Sequence, residues 1–365
     1  MKSPDRDAML AALERLVAAE SPSLDKARCD ACADLVATLF RERTGAQARR
    51  HPRRERGDHL ELRIAGAGQP IMLLCHHDTV WTAGTLERLP FRVDGDRVRG
   101  PGSYDMKAGI VEAAFALQLA RPQRPVVVLS TSDEEVGSGS SRQLIEETAK
   151  EAVAVLVLEP AASGGALKTA RKGIGDFVLE VDGRAAHAGV EPEKGVSAIE
   201  EMAHQVLAMK ALADAKRGTT INVGVVHGGT RPNVVPAQAR AEIDVRFASA
   251  VEAERVEAAI RALQPRLDGA RLRVSGGVDR PPMERSAGVI RLLQLAQRLA
   301  AELGYALPET STGGGSDGNF TAALGVPTLD GLGPDGGGAH ADSEHLFMSS
   351  WIRRTALVAM ILEAL

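Results

Sequence analysis

Glu134 and Glu135 stand side by side after an apolar run, P-V-V-V-L-S from Pro125 to Ser130, continued as T-S-D-E-E-V-G. Adjacent carboxylates at the end of a buried segment cost free energy unless a cation or a proton offsets them. Neighbouring side chains on an extended segment point to opposite sides, so one acid is free to bind metal while the other handles protons. Groups of the same kind recur at similar places. His76-His77-Asp78 follows I-M-L-L-C, and Glu159 ends V-A-V-L-V-L. Asp105 lies in R-G-P-G-S-Y-D-M-K-A-G, where a glycine-rich turn runs towards a helix, and His340 lies in a glycine-rich loop. Imidazole and carboxylate are ligands that divalent zinc prefers, and a catalytic site leaves a position open for water. His76, Asp105, Glu135, Glu159 and His340 are therefore candidate ligands. A carboxylate at Asp105 gains from a helix N-terminus and has two oxygens with which to reach two ions. Three carboxylates against two dipositive ions leave one positive charge, which hydroxide would neutralise. Such ions would sit about 3.5–4 Å apart and lower the pKa of a shared water. Asp78, two residues after His76, is placed to orient that imidazole, which leaves Glu134 as general base. A-H-A-D-S-E-H offers His345 as an alternative to His340, whereas His51, His59, His77 and His204 read as structural or surface residues.

These residues need elements that bring them to one rim. Ile71–Cys75, Val126–Leu129, Val153–Leu158 and Val326–Leu332 are continuous apolar runs separated by helical segments, the pattern of a largely parallel sheet covered on both faces. In open α/β sheets the ligand site lies beyond the carboxyl ends of the strands, and all four runs lead there into ligand-type residues. Between the third and fourth runs the period changes. Ile243, Val245 and Phe247 alternate with Glu242, Asp244 and Arg246, the mark of a strand with one buried face. Strands are expected at Asp176–Val181, Thr219–Val226, Ala241–Phe247 and Arg271–Ser275, with helices at Gly195–Leu212 and Val251–Leu267. That β-α-β-β-α-β order is the split-βαβ signature of a ferredoxin-like layer. The expected organisation is a first part over residues 1–172, an insertion over 173–282 and a second part over 283–365. The last part should carry helices from Ala287 to Leu303 and from about Ser350.

The chain has 365 residues, 44% hydrophobic and 25% charged, enough for two domains with sizeable cores. With aromatics at 3%, those cores must be built from Ala, Val, Leu and Ile. A net charge of -4 argues against a nucleic-acid or membrane-surface role. The five arginines between Arg49 and Arg56 read as a solvated turn and strand. No window approaches a membrane span and the N-terminus has no apolar core of signal-peptide length; a leader trimmed from a longer chain would leave the same sequence. Three cysteines, Cys29, Cys32 and Cys75, form no framework and fit a reducing, cytoplasmic compartment. The C-x-x-C at Cys29 and Cys32 falls on an amphipathic helix.

The stretches C-H-H-D-T-V, G-P-G-S-Y-D-M-K-A-G, S-D-E-E-V-G-S, L-E-P, G-R-A-A-H-A-G-V-E-P, G-G-T-R-P-N-V-V-P, D-V-R-F, T-G-G-G-S-D and G-A-H-A-D-S-E follow one another from about residue 70 to 345. In these the chain resembles the M20 metallopeptidases, on the side of their glutamate carboxypeptidase branch. The resemblance implies an α/β fold, a zinc-peptidase-like sheet flanked by helices with the insertion serving as a dimerisation domain. It implies His76 and Glu159 on one zinc, Glu135 and His340 on the other, and Asp105 as the bridge. Glu134 is then the base and Asp78 the orienting acid. His340 is preferred to His345, because the ligand histidine is followed four residues later by an acid, here Glu344. Within the insertion the resemblance makes His187 a cross-dimer stabiliser of the oxyanion, Asn233 a second contributor, and Arg246 the grip on a terminal carboxylate. Gly314 and Gly315 match the loop lining the substrate pocket. Glutamate at 159 resembles the carboxypeptidase, aminoacylase and desuccinylase side of the family. Tyr104 and Met106 depart from the small or acidic neighbours common around the bridging acid.

The expected activity is hydrolysis of a C-terminal, glutamate-type residue from N-acyl amino acids or short peptides by a homodimer carrying two Zn2+; Co2+ and Mn2+ suit the same ligands. An N-acyl-amino-acid amidohydrolase or a succinyl-diaminopimelate-type deacylase is the alternative. A metal-bound binding protein without catalysis is the remote one, and its sign would be a missing base or ligand.

Overall fold

The computed structural model describes residues 3–365, which fall into two compact units. The first unites residues up to Ala170 with Arg285–Thr312 and Ser316–Leu365; the second comprises Arg171–Glu284 and Gly313–Gly315.

In the first unit the strand Ile71–His76 is flanked in parallel by Val126–Thr131 and Ala154–Val157, and Thr328–Leu329 adds a fourth parallel strand beside the latter. Every residue of the first three is buried, which is why they read as unbroken apolar runs. On the other side His59–Ile64 pairs antiparallel with Val126–Thr131, and Ala48–His51 closes the edge as a hairpin. The arginine-rich stretch is this edge strand and its turn. Arg50 reaches Asp34 and Asp58 there, and charge on an exposed edge discourages pairing with other chains. The run Val326–Leu332 is shorter as a strand than expected. Pro327 lacks the N–H a ladder needs, and Gly331 turns the chain at φ 77.

Helices cover the sheet. Lys26–Thr44 begins at Asp25, whose side chain accepts the Arg28 N–H, and ends at Gly45 with φ 76. Cys29 and Cys32 belong to its buried stripe with Ala33, Val36, Leu39 and Phe40, and both are free thiols. Ala108–Leu119 is almost wholly buried. Lys107, just before it, is 1% exposed and donates to the Leu16 and Ala19 carbonyls at 2.9 and 2.8 Å. That places a cation at the carboxyl end of the helix Arg6–Ala18.

The second unit is a four-stranded antiparallel sheet in the order Thr220–Gly228, Gln238–Phe247, Gly173–Asp182, Arg271–Arg280. With helices Ala198–Lys210 and Ala250–Arg261 it follows the ferredoxin-like order. Ser197 and Ser249 cap those helices through the Glu200 and Glu252 N–H groups. The second helix stops well before Leu267, ahead of Pro265. Among the described residues no helix is long and apolar enough to cross a membrane.

Candidate metal centre

His76 and Thr131 are register partners at the carboxyl ends of adjacent parallel strands, so the His76 and Glu134–Val136 segments leave the sheet together. Glu159 follows the neighbouring strand Ala154–Val157, whose continuation is tied back by the Leu158 N–H to the Leu74 carbonyl. Asp105 lies in the wide turn Ser103–Lys107, with extended backbone at φ -115 and ψ 96. It thus precedes the helix Ala108–Leu119 rather than opening it, and the helix end is not what holds it. His340 adopts φ 63, a left-handed conformation that costs a non-glycine residue about 1–3 kcal/mol and persists only where the surroundings impose it.

These segments bring five side chains into two triads that share Asp105: His76, Asp105 and Glu159 in one, Asp105, Glu135 and His340 in the other. His76 Nε2 lies 3.5 Å from Asp105 Oδ1 and 3.5 Å from Glu159 Oε1. His340 Nε2 lies 3.4 Å from Asp105 Oδ2 and 3.2 Å from Glu135 Oε2. Each oxygen of Asp105 therefore faces a different imidazole. Ligand atoms about 2.1 Å from one tetrahedral ion are about 3.4 Å apart, whereas hydrogen-bonded atoms prefer about 2.7–3.2 Å. His76 Nε2, Asp105 Oδ1 and Glu135 Oε1 are buried without a hydrogen-bond partner. Unpartnered buried atoms of ligand type at ligand spacing fit a pair of divalent cations.

The electrostatics agree. Burial alone would lower the His76 imidazole, yet the carboxylates of Asp105, Asp78 and Glu159 hold it well above its ordinary value. His340, beside Asp105 and Glu135, is raised to about 10. Against its own burial, Asp105 is held far down by His340 and His76. Burial raises Glu135, opposed by His340 and reinforced by Asp105. Positive charge is demanded at both imidazoles.

Asp78, fully buried, ties the surrounding loops together. It accepts the Ser23 hydroxyl at 2.7 Å and the backbone N–H groups of Glu134 and Glu135 at 3.3 Å each, and its Oδ1 lies 3.4 Å from His76 Nδ1. Glu135 and its neighbour Glu134 are thus anchored through their backbone on a tight turn. Ser23 gave no signal in the sequence. His345 lies in neither triad. Its Nδ1 is 2.8 Å from the Ser343 carbonyl and its ring meets Phe347 edge-on. Burial holds His77 down at about 3, with Nδ1 against Ser130 Oγ at 3.0 Å.

In the second unit His187 and Asn233 are neighbours: both are exposed, and the Ala188 N–H donates to the Asn233 carbonyl at 3.0 Å. Arg246 lies elsewhere on that sheet and forks onto Asp244, Nε and Nη2 meeting Oδ2 at 3.0 and 2.7 Å. Gly315 leaves no room for a Cβ, which would come 2.9 Å from Ile174, whereas one on Gly314 would meet nothing. Both carbonyls accept Arg171 Nη1, at 3.1 and 3.2 Å respectively.

Residues 169–267 match the peptidase dimerisation domain of the M20 family. Carboxypeptidase G2 of Pseudomonas sp. (strain RS-16) is 34% identical over 317 residues, covering 84% of this chain and 76% of that protein. The chain belongs to the M20 peptidase family. A succinyl-diaminopimelate desuccinylase of Xylella fastidiosa (strain M12) is 28% identical, covering 82% of this chain and 85% of the relative. Aminopeptidase PepT of Bacillus cereus ATCC 10987 shares the fold, with a TM-score of 0.81 at 21% identity over 98% of both chains. As an M20 enzyme the chain is a metal-dependent hydrolase of the peptidase and deacylase group.

Proposed function

We propose that this M20 enzyme is a dinuclear metallo-carboxypeptidase that removes a C-terminal, glutamate-type residue from N-acyl amino acids or short peptides. The observation that carries the reading is the sharing of Asp105 between two His-carboxylate triads, one oxygen towards each imidazole. His76 and Glu159 would hold one ion, Glu135 and His340 the other, and Asp105 both; zinc is the metal proposed, cobalt and manganese suiting the same ligands. When bound, such a pair polarises a carbonyl oxygen and lowers the pKa of nearby water.

The rest is the work of side chains. Glu134 takes a proton from the attacking water as its oxygen bonds to the scissile carbonyl carbon. It returns that proton to the amide nitrogen as the C–N bond breaks, and the proton left on the new carboxyl group passes to the departing amine, giving a carboxylate and an ammonium group. His187 donates to the oxyanion across a homodimer built on the insertion over 173–282, with Asn233 beside it. Arg246 grips the substrate's terminal carboxylate in place of Asp244, and Gly314 and Gly315 leave space along the pocket. Three free, buried cysteines fit a reducing, cytoplasmic setting.

A deacylase acting on the acyl side is the second reading, supported by the desuccinylase relative and by glutamate at position 159. Glu134→Gln tests the mechanism: it should keep both metals and lose about 10²–10⁴ in turnover, and near-normal turnover would refute it. Folyl- and benzoyl-glutamate, acetylated amino acids, succinylated diamines and dipeptides, offered to zinc-loaded protein, separate the two readings. No hydrolysis across that panel with both metals bound would refute both and leave a binding protein.

A further inference from the structure

Glu344 is 3% exposed, and among the described residues it forms no ion pair with a basic side chain. Four N–H groups converge on it instead. Oε1 accepts the backbone N–H groups of Tyr104 and Asp105 at 2.9 and 3.1 Å; Oε2 accepts that of Gly102 at 2.9 Å and the Trp81 indole N–H at 2.7 Å. The donors come from two chain segments and the carboxylate from a third. Trp81 lies in the segment that follows the strand ending at His76 and carries Asp78, Gly102–Asp105 is the turn that carries the shared acid, and Glu344 follows His340 by four residues. One side chain thus clips together three of the segments that supply ligands. The turn is also tightly seated, for a Cβ on Gly102 would come 2.5 Å from Thr79 Cγ2.

A carboxylate 3% exposed is held there at a cost in desolvation, which those four N–H groups offset. A structural turn has no need of a charged acceptor at that depth. A turn that must present both oxygens of one carboxylate to two different cations does, because a rotation about its backbone would withdraw Asp105 from both triads at once.

We propose that Glu344 is the positioning residue of the metal centre: by receiving the N–H groups of Gly102, Tyr104 and Asp105 it fixes the orientation of the shared acid, and through Trp81 it locks that turn to the His76 loop. The proposal rests on reading the two triads as a metal centre. Glutamine in its place has one acceptor oxygen, and its NH2 would face two of the four donors.

The test is made on the full chain, stripped of metal and titrated with Co2+ by calorimetry, with the visible absorption of the bound Co2+ recorded alongside. Glu344→Gln should fold as judged by circular dichroism, weaken Co2+ about 10–100-fold and shift the Co2+ bands. Trp81→Phe removes one donor, bonded to the oxygen that does not receive the Asp105 N–H, and should lose under about tenfold, the lower end of that range. Unchanged Co2+ affinity and spectrum in Glu344→Gln would overturn the proposal. Should Glu344→Gln fail to fold, Glu344→Asp decides: a folded protein with wild-type affinity and bands overturns it, whereas weakened affinity with shifted bands supports it. Wild-type protein that binds two Co2+ but hydrolyses nothing would sink the carboxypeptidase reading and leave this one standing. Wild-type protein that binds no Co2+ would sink both.

Discussion

Sharing Asp105 between two triads makes a quantitative claim about stability. A ligand that binds only the folded state stabilises it by about 2.7 kcal/mol at a free concentration 100 times its Kd. Two such sites give about 5.4 kcal/mol. For a unit of this size, about 2–4 °C of Tm accompanies each kcal/mol, so metal-free protein should gain about 11–22 °C on saturation with Zn2+ or Co2+. The substitutions divide that gain unequally. Glu159→Gln removes a ligand from one triad and should forfeit about half of it. Asp105→Ala removes a ligand from both and should forfeit most of it, although each is a single-residue change beside His76. Differential scanning calorimetry of chelator-stripped protein, repeated at several metal concentrations, reads this directly. A Tm independent of metal would refute the centre. If Asp105→Ala and Glu159→Gln lost the same increment, the ions would not share Asp105 and the bridging geometry would be wrong.

Three further outcomes are expected. Lys107→Met takes the donor from the buried Leu16 carbonyl and the partly buried Ala19 carbonyl, at about 1–3 kcal/mol each; urea denaturation should show a loss of about 2–6 kcal/mol, and a loss within error of zero would remove the capping role. Asp244→Asn takes away the partner on which the Arg246 guanidinium is forked, so KM for a substrate with a free terminal carboxylate should fall while kcat holds; an unchanged KM would speak against Arg246 as the anchor. Glu112 is fully buried, neither oxygen has a hydrogen-bond partner, and burial raises its carboxyl well above the usual range against the pull of Arg354. The unfolded chain therefore loses this proton near its ordinary value of about 4.3 while the folded chain keeps it, so stability falls as pH rises above that value. Glu112→Gln should flatten that fall between about pH 5 and pH 8, and an unaltered slope in urea titrations would contradict it.

The strand runs were legible because burial on both faces leaves a one-dimensional trace, an apolar run whose end must hold whatever lies on the rim. His76, Glu135 and Glu159 could be found that way, one strand at a time. Asp105 and His340 were harder, since neither ends a strand. Their turn and loop are visible only as glycine clusters, and where a helix N-terminus was expected behind Asp105 the structure has the Glu344 carboxylate on its backbone N–H. Of the side chains around the triads, Asp78 is placed by its spacing from His76 and Glu344 enters only as the acid four residues after His340, whereas Ser23 left no trace. Ser23 and Asp78 are separated by 55 positions, and Glu344 from Asp105 by 239; no periodicity links partners at such distances. What reveals them is hydrogen-bond accounting. A buried carboxylate without a cation must find N–H groups, and Glu344 finds four, one on Trp81 and three on the turn that carries Asp105. Lys107 obeys the same rule from the other side, a buried cation that finds carbonyls at a helix end. In G-S-Y-D-M-K-A-G the acid is shared by the two triads and the lysine serves the core, although both look like parts of one motif. The spacing between them therefore follows from packing as much as from chemistry, and Lys107→Met should cost stability without touching the visible spectrum of bound Co2+.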